Sequence, residues 1–255
     1  MDFSVKEIGK YKYYEAGKGP TLVLLHGLFG ALSNFKEVIS EFQSTHKVIV
    51  PILPIYEMPL VSTGIGGLVK FFKKFVEMKK LSDMTLLGNS LGGHVALAYT
   101  LKYTEKVKAM ILTGSSGLYE NTLGGSFPKR GDYNFIKEKT ELTFYDPKVA
   151  SKDLVDEVYE IINNRDKVLR VIALSRSAMR NNLANDLCDL DLPVCLIWGK
   201  DDTITPANVA DEFHALIKDS ELHFIDKCGH AAMMEKPIEF NVLLASFLNK
   251  LSYEG

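Results

Sequence analysis

Residues 86–97 read LLGNSLGGHVAL. An apolar run from Met84 to Leu87, with Thr85 in it, ends abruptly in Gly-Asn-Ser-Leu-Gly-Gly, and a helical pattern starts at once. Gly88-Asn89-Ser90-Leu91-Gly92 fits G-x-S-x-G between an expected strand and an expected helix, the context that gives this motif meaning. A turn this tight holds its serine at a strained backbone angle, where neighbours carrying a Cβ would clash. Gly88 and Gly92 leave the room needed, and Gly93 lets helix and strand approach closely. The Ser90 hydroxyl is pushed clear of the sheet. The N–H of Leu91 points from the helix N-terminus toward any negative charge forming beside it. For the pentapeptide alone, an ordinary Gly-rich turn is the competing reading.

A serine hydroxyl is a poor nucleophile until a base takes its proton, so a histidine is required, and a carboxylate to orient it. "DKCGHAAMMEKP" supplies His230 after a short expected strand. "WGKDDTITP" supplies Asp201 and Asp202 just past the strand that ends at Trp198. The order Ser90, Asp202, His230 places each residue at the carboxyl end of an expected strand, so that all three can converge over one sheet edge. "HGLFG", residues 26–30, follows the first buried strand. There the backbone N–H of Leu28, or that of Phe29, is a candidate second oxyanion donor beside Leu91, with His26 bonded locally to fix the loop. His94 is read as a packing residue or a buried hydrogen-bond partner.

Strands and helices alternate around these motifs. Thr21 to Leu25, "KVIVPIL", "DMTLLG" and "VKAMILTGSS" read as buried strands, separated by helical patterns at residues 34–43, 64–80 and 90–103. This is the signature of a mostly parallel sheet covered on both faces. The alternation breaks from Gly117 to Asp189, where the chain is charged and helix-like, and returns at "LPVCLIWG". One α/β core, residues 1–116 and 190–255, is therefore expected to carry a helical insert, 117–189, over the carboxyl edge of its sheet.

Bulk properties exclude several classes. Of the 255 residues, 46% are hydrophobic and 24% charged, so disorder is not a useful hypothesis. A formal net charge of −2 with no basic block argues against nucleic acid and electrostatic membrane anchoring. No apolar run approaches membrane-spanning length, and the N-terminus has no apolar signal core. Cys188, Cys195 and Cys228 form no CxxC, which reads as reduced thiols in a cytoplasm. No metal-ligand motif stands out, and no cofactor is expected.

Taken together, "LLHGLFG", "LLGNSLGGHVAL", "IWGKDDTITP" and "HFIDKCGHAAMMEKPIEF" resemble, in their order, the α/β-hydrolase fold superfamily along nearly the whole chain. The resemblance implies a catalytic acid three residues after Gly199, which is Asp202, with Asp201 in reserve. Asn89, "TGSSGL" and "LHFIDKCGH" look similar to the meta-cleavage-product hydrolases, which split a carbon–carbon bond in a dienoate. The chain departs from their pattern at "HGLFGAL" and at Ala231, where they carry a Gly-rich loop and a tryptophan; "HGLFG" is more like small esterases and thioesterases. A serine at position 90 disfavours dehalogenase and epoxide hydrolase chemistry.

The expected activity is a serine hydrolase acting on a small or medium carboxylic ester or thioester. A carbon–carbon bond hydrolase and a non-catalytic binding module are the alternatives. Phe29, Asn89 and Arg180 are candidates to contact a small-molecule substrate, Arg180 or Arg176 as a carboxylate partner, with a solvated helix face the competing and favoured reading for the two arginines. Phe127, Phe135, Phe144, Tyr133 and Tyr145 are candidates for an apolar pocket or for the insert's own packing. Homo-oligomer formation is left open.

Overall fold

The computed structural model describes residues 4–30, 32–119 and 130–253. Its sheet is built from β1 (Lys6–Ile8), β2 (Tyr11–Ala16), β3 (Thr21–Leu25), β4 (Lys47–Pro51), β5 (Met84–Asn89), β6 (Val107–Thr113), β7 (Val194–Gly199) and β8 (Ser220–Ile225), in the order β1-β2-β4-β3-β5-β6-β7-β8. β1 and β2 form an antiparallel hairpin that pairs with β4, and the strands from β4 to β8 are parallel. This is the α/β-hydrolase fold. β1 was not expected. Its residues Lys6, Glu7 and Ile8 are exposed or half-buried, so no apolar period marks it; only pairing with β2 does.

Helices follow the strands: α1 (Lys36–Phe42), α2 (Ile65–Lys79), α3 (Leu91–Thr100), α4 (Tyr133–Glu141), α5 (Lys152–Asn163), α6 (Arg165–Arg180), α7 (Ala207–Leu216), α8 (Ala232–Glu235) and α9 (Pro237–Tyr253). α2 buries Ile65, Leu68, Val69, Phe72, Phe75 and Val76, a spacing of three and four that puts one stripe on the sheet. It stops at Lys80, whose φ of 53° is left-handed. The Gly64-x-Gly66-Gly67 run is the start of α2.

Because helices cover both faces, the central strands are largely buried; β5 has no exposed residue. One core joins α2, α3 and α7 to one face, and a second joins α1, α8 and α9 to the other. Between β6 and β7 the chain leaves the sheet and forms α4, α5 and α6. Side chains start all three: Asp132 accepts from the N–H of Phe135 (3.0 Å), Ser151 from Leu154 (3.2 Å), and Asn164 from Asp166 (3.0 Å) and Lys167 (3.1 Å). This segment has a small core of its own, Ile136, Val158, Ile162 and Val168. It also docks on the sheet domain, where Arg170 Nε donates to the Met58 carbonyl (2.7 Å) and Ser177 Oγ accepts from the N–H of Ile65 (3.0 Å).

Strand order reverses around β3, with β4 on one side and β5 on the other. A crevice opens at the carboxyl ends of such a pair. Residues 26–30 and Ser90 stand there.

Candidate active site

Ser90 links β5 to α3 at φ 54° and ψ −122°. A non-glycine residue in this region costs on the order of 1–3 kcal/mol and persists only when its surroundings over-determine it. They do. The Ser90 N–H donates to the Thr113 carbonyl (3.2 Å), and the Ser90 carbonyl accepts from Gly93 (3.0 Å), His94 (3.2 Å) and Ser116 (3.2 Å). A Cβ on Gly88 would stand 2.5 Å from the Gly93 Cα, and one on Gly92 would stand 2.0 Å from the Leu25 carbonyl oxygen. His94 lies buried beneath the elbow. Its Nε2–H donates to the Asn181 carbonyl (2.9 Å), and its Nδ1 faces Ser116 Oγ (3.3 Å).

Asp202 and His230 lie just past β7 and β8. His230 Nδ1 meets Asp202 Oδ2 at 2.8 Å, with the Asp202 side chain fully buried. The carboxylate also accepts the N–H groups of Ile204 (2.8 Å) and Thr205 (2.9 Å) and the Thr205 hydroxyl (2.8 Å). Asp201 is exposed, and its N–H donates to the Cys228 carbonyl (2.9 Å). The structure thus brings Asp202, not Asp201, to His230. Gly114, at φ 51°, admits the imidazole; a Cβ there would lie 2.8 Å from Nδ1. Because the carboxylate can only accept, Nδ1 carries the proton and Nε2 is free to act as a base.

The loop 26–30 is fixed from the segment after β4. The Leu53 N–H donates to His26 Nε2 (3.0 Å), so Nδ1 holds the proton and donates to the Gly27 carbonyl (2.9 Å). Burial holds the His26 imidazole below its usual pKa, so it stays neutral. The half-buried Tyr56 hydroxyl donates to the Leu28 carbonyl. Gly27 packs against Ser90; a Cβ on it would be 3.2 Å from the Ser90 Cβ. Among the described residues, no backbone bond takes up the N–H of Leu28 or that of Leu91.

A cavity of about 380 Å³ opens over Ser90 and His230. Its floor is Gly27, Leu28, Phe29 and Asn89, and its walls come largely from the α4–α5 segment. Phe29, Phe135 and Phe144 line it; Tyr133 and Tyr145 do not, and Phe127 lies outside the described residues. Asn89 borders the cavity, but its amide nitrogen is spent on the carbonyls of Thr113 (3.0 Å) and His230 (3.4 Å).

The structure does not bring Arg180 or Arg176 to the cavity. Both stand on the exposed side of α6, opposite the stripe of Val171, Leu174, Ser175 and Ala178. Among the described residues that line the cavity, the lysine or arginine is Lys139 of α4. Its Nζ sits 5.6 Å from the Phe135 ring centroid. The four-residue spacing of Phe135 and Lys139 on a helix was the signal for this.

Glu235 was missed altogether. Its carboxylate accepts the N–H groups of Gly229 (2.7 Å), Tyr145 (3.1 Å) and Asp146 (2.7 Å). The His230 N–H donates to the Thr143 carbonyl (2.8 Å). The loop carrying His230 is thereby tied to the segment that walls the cavity. Away from the site, Cys195, Glu221 and His223 offer ligand atoms within 4.8 Å of one another, but Glu221 is already engaged by His223 (3.2 Å) and Lys250.

Residues 20–237 match the model of the alpha/beta hydrolase fold family, and the chain belongs to that family. Among characterised relatives, the 2-hydroxy-6-oxo-6-phenylhexa-2,4-dienoate hydrolase of Comamonas testosteroni is 26% identical over 260 residues, covering 93% of this chain and 91% of its own. Among solved structures, an alpha/beta hydrolase enzyme from the sediment metagenome of the Mar Chica lagoon, Morocco, is 42% identical with a TM-score of 0.81, covering 97% of this chain and 98% of the other. A serine hydrolase involved in carbazole degradation shares the fold at 23% identity and a TM-score of 0.82, over 97% of this chain and 99% of its own. No helix among the described residues is long and apolar enough to cross a membrane.

Proposed function

We propose that this hydrolase uses Ser90, His230 and Asp202 as nucleophile, base and acid on a small or medium carboxylic ester or thioester. The observation that carries the reading is the 2.8 Å bond from His230 Nδ1 to a fully buried Asp202, beside a strained Ser90 on the floor of the same cavity. His230 takes the Ser90 proton as the oxygen attacks the carbonyl carbon. The N–H groups of Leu91 and Leu28 hold the oxyanion. Asp202 keeps the imidazole in the useful tautomer and stabilises the imidazolium that forms. His230 then protonates the leaving group, and a water activated by the same ring releases the acid. The segment 117–189 acts as a cap whose α4 and α5 side chains select the acyl or leaving group.

A second reading, hydrolysis of a carbon–carbon bond in a dienoate, is supported by the Comamonas relative and by Lys139. A p-nitrophenyl ester series from acetate to palmitate, run beside a vinylogous diketone acid, separates the two. Turnover is expected to peak at medium esters and to fall by palmitate. Rapid loss of the dienolate colour with no ester turnover would replace the ester reading.

Lys139 gives a sharper expectation. Lys139→Gln should lower kcat/KM about tenfold, roughly 1.4 kcal/mol, for an ester with a terminal carboxylate and leave its neutral analogue unchanged. Arg180→Ala should alter neither. Equal losses on both substrates in the Lys139 variant would end that assignment.

A further inference from the structure

We propose that Thr205 is a positioning residue of the acid–base pair. Its hydroxyl shares Asp202 Oδ2 with His230 and sets how tightly the carboxylate holds the imidazole. The inference rests on the reading of Asp202 and His230 as acid and base.

The Asp202 carboxylate has four donors. Oδ1 takes the N–H groups of Ile204 (2.8 Å) and Thr205 (2.9 Å); Oδ2 takes the Thr205 hydroxyl (2.8 Å) and His230 Nδ1–H (2.8 Å). Thr205 thus supplies two of them, one to each oxygen. Its hydroxyl oxygen also lies 3.2 Å from His230 Nδ1. The residue cannot swing aside: it is buried, and the indole N–H of the fully buried Trp198 donates to its carbonyl (2.8 Å).

A donor on Oδ2 draws charge from the oxygen that holds the imidazole. Asp202 therefore stabilises the imidazolium less than a carboxylate bonded to His230 alone would. The imidazole becomes available as a base at lower pH. Removing the hydroxyl while keeping its volume does the reverse, and the acid limb of the rate profile moves to higher pH. A purely structural role would lower the plateau and leave that limb in place.

Other ionisable groups border the pair and are untouched by the substitution. They are Asp201, Cys228 on the His230 loop, Glu235 and Lys236 beside that loop, and Lys139 across the cavity. Burial pushes the Cys228 thiol up to about 12, so it stays neutral over the range that matters.

The test is the pH profile of kcat/KM on one neutral p-nitrophenyl ester for wild type, Thr205→Val and Thr205→Ser. The valine variant should shift the acid limb upward by about half a pH unit or more, while serine, which keeps the hydroxyl, reproduces wild type. Thr205→Cys, a poor donor of similar size, serves where valine fails to fold, and should shift in the same direction. A valine or cysteine profile with an unmoved acid limb overturns the proposal, whatever its plateau. So does a serine variant that shifts like valine. A wild type with neither ester turnover nor labelling of Ser90 by a fluorophosphonate sinks the reading of Ser90, His230 and Asp202 as nucleophile, base and acid, and this inference with it.

Discussion

Ser90→Ala is expected to lower kcat on any productive ester by on the order of 10⁵- to 10⁶-fold, while the folded state changes by less than about 0.5 kcal/mol. The two halves of this expectation come from different links of the argument. The substitution removes one oxygen from a half-buried side chain. The Cβ stays, and so do the four backbone bonds that hold residue 90 at φ 54°. Alanine meets the same strain there as serine, so the elbow has no reason to rearrange. The proposed nucleophile, by contrast, has no thiol to replace it among the described residues that line the cavity. Cys195 and Cys228 are buried thiols whose ionisation burial makes harder, and neither lines the cavity. What remains is solvent attack assisted by His230 and the backbone donors. Parallel measurement of kcat, fluorophosphonate labelling and thermal unfolding checks both halves. A variant retaining more than about a hundredth of the activity would show that Ser90 does not form the acyl-enzyme. For a carbon–carbon substrate, such residual turnover would point to Ser90 assisting a proton transfer instead.

The elbow was legible because its demands are local. A buried strand, a serine between glycines and a helix start occupy adjacent positions, and the space each glycine must leave follows from the tightness of the turn. β3 and β5 were legible because burial on both faces leaves unbroken apolar runs. Choosing between Asp201 and Asp202 was different. Both lie in one turn, and geometry settles which carboxylate meets His230: the N–H groups of Ile204 and Thr205 converge on Asp202, while Asp201 turns outward. The cationic wall residue was misplaced for a reason of helical phase. Val171, Leu174, Ser175 and Ala178 fix the buried stripe of α6, and Arg176 and Arg180 fall off it. On α4 the buried pair is Ile136 and Thr140, which carries Lys139 to the cavity edge. Glu235 left no trace in the sequence, since Tyr145 and Asp146 lie 90 and 89 positions away.

Gly92→Ala should be strongly damaging, and helix propensity predicts the opposite. Gly92 is the second residue of α3, where alanine would favour the helix by up to about 1 kcal/mol. The added Cβ, however, would lie 2.0 Å from the Leu25 carbonyl oxygen and 2.7 Å from that of His26. Both are backbone atoms at the carboxyl end of β3, so no side-chain rotamer can relieve the clash. Either α3 backs away from the sheet or β3 shifts. The first moves Ser90 and the N–H of Leu91; the second moves the loop that carries Leu28. Overpacking of this kind outweighs propensity, and a loss of about 2–4 kcal/mol is expected, which lowers Tm by roughly 5–15 °C. Molecules that still fold should lose at least about 10²-fold in kcat, since an oxyanion donor displaced by a fraction of an ångström is largely a donor lost. Gly66→Ala is the control. It sits in the first turn of α2 with nothing within 4 Å of its would-be Cβ, and should be neutral or slightly stabilising. Unfolding curves and kcat for the two variants decide the matter. A Gly92→Ala protein as stable and active as the Gly66→Ala protein would mean that strand and helix can separate at the elbow without disturbing Ser90. The tight approach of α3 to β3 would then be no requirement of the site.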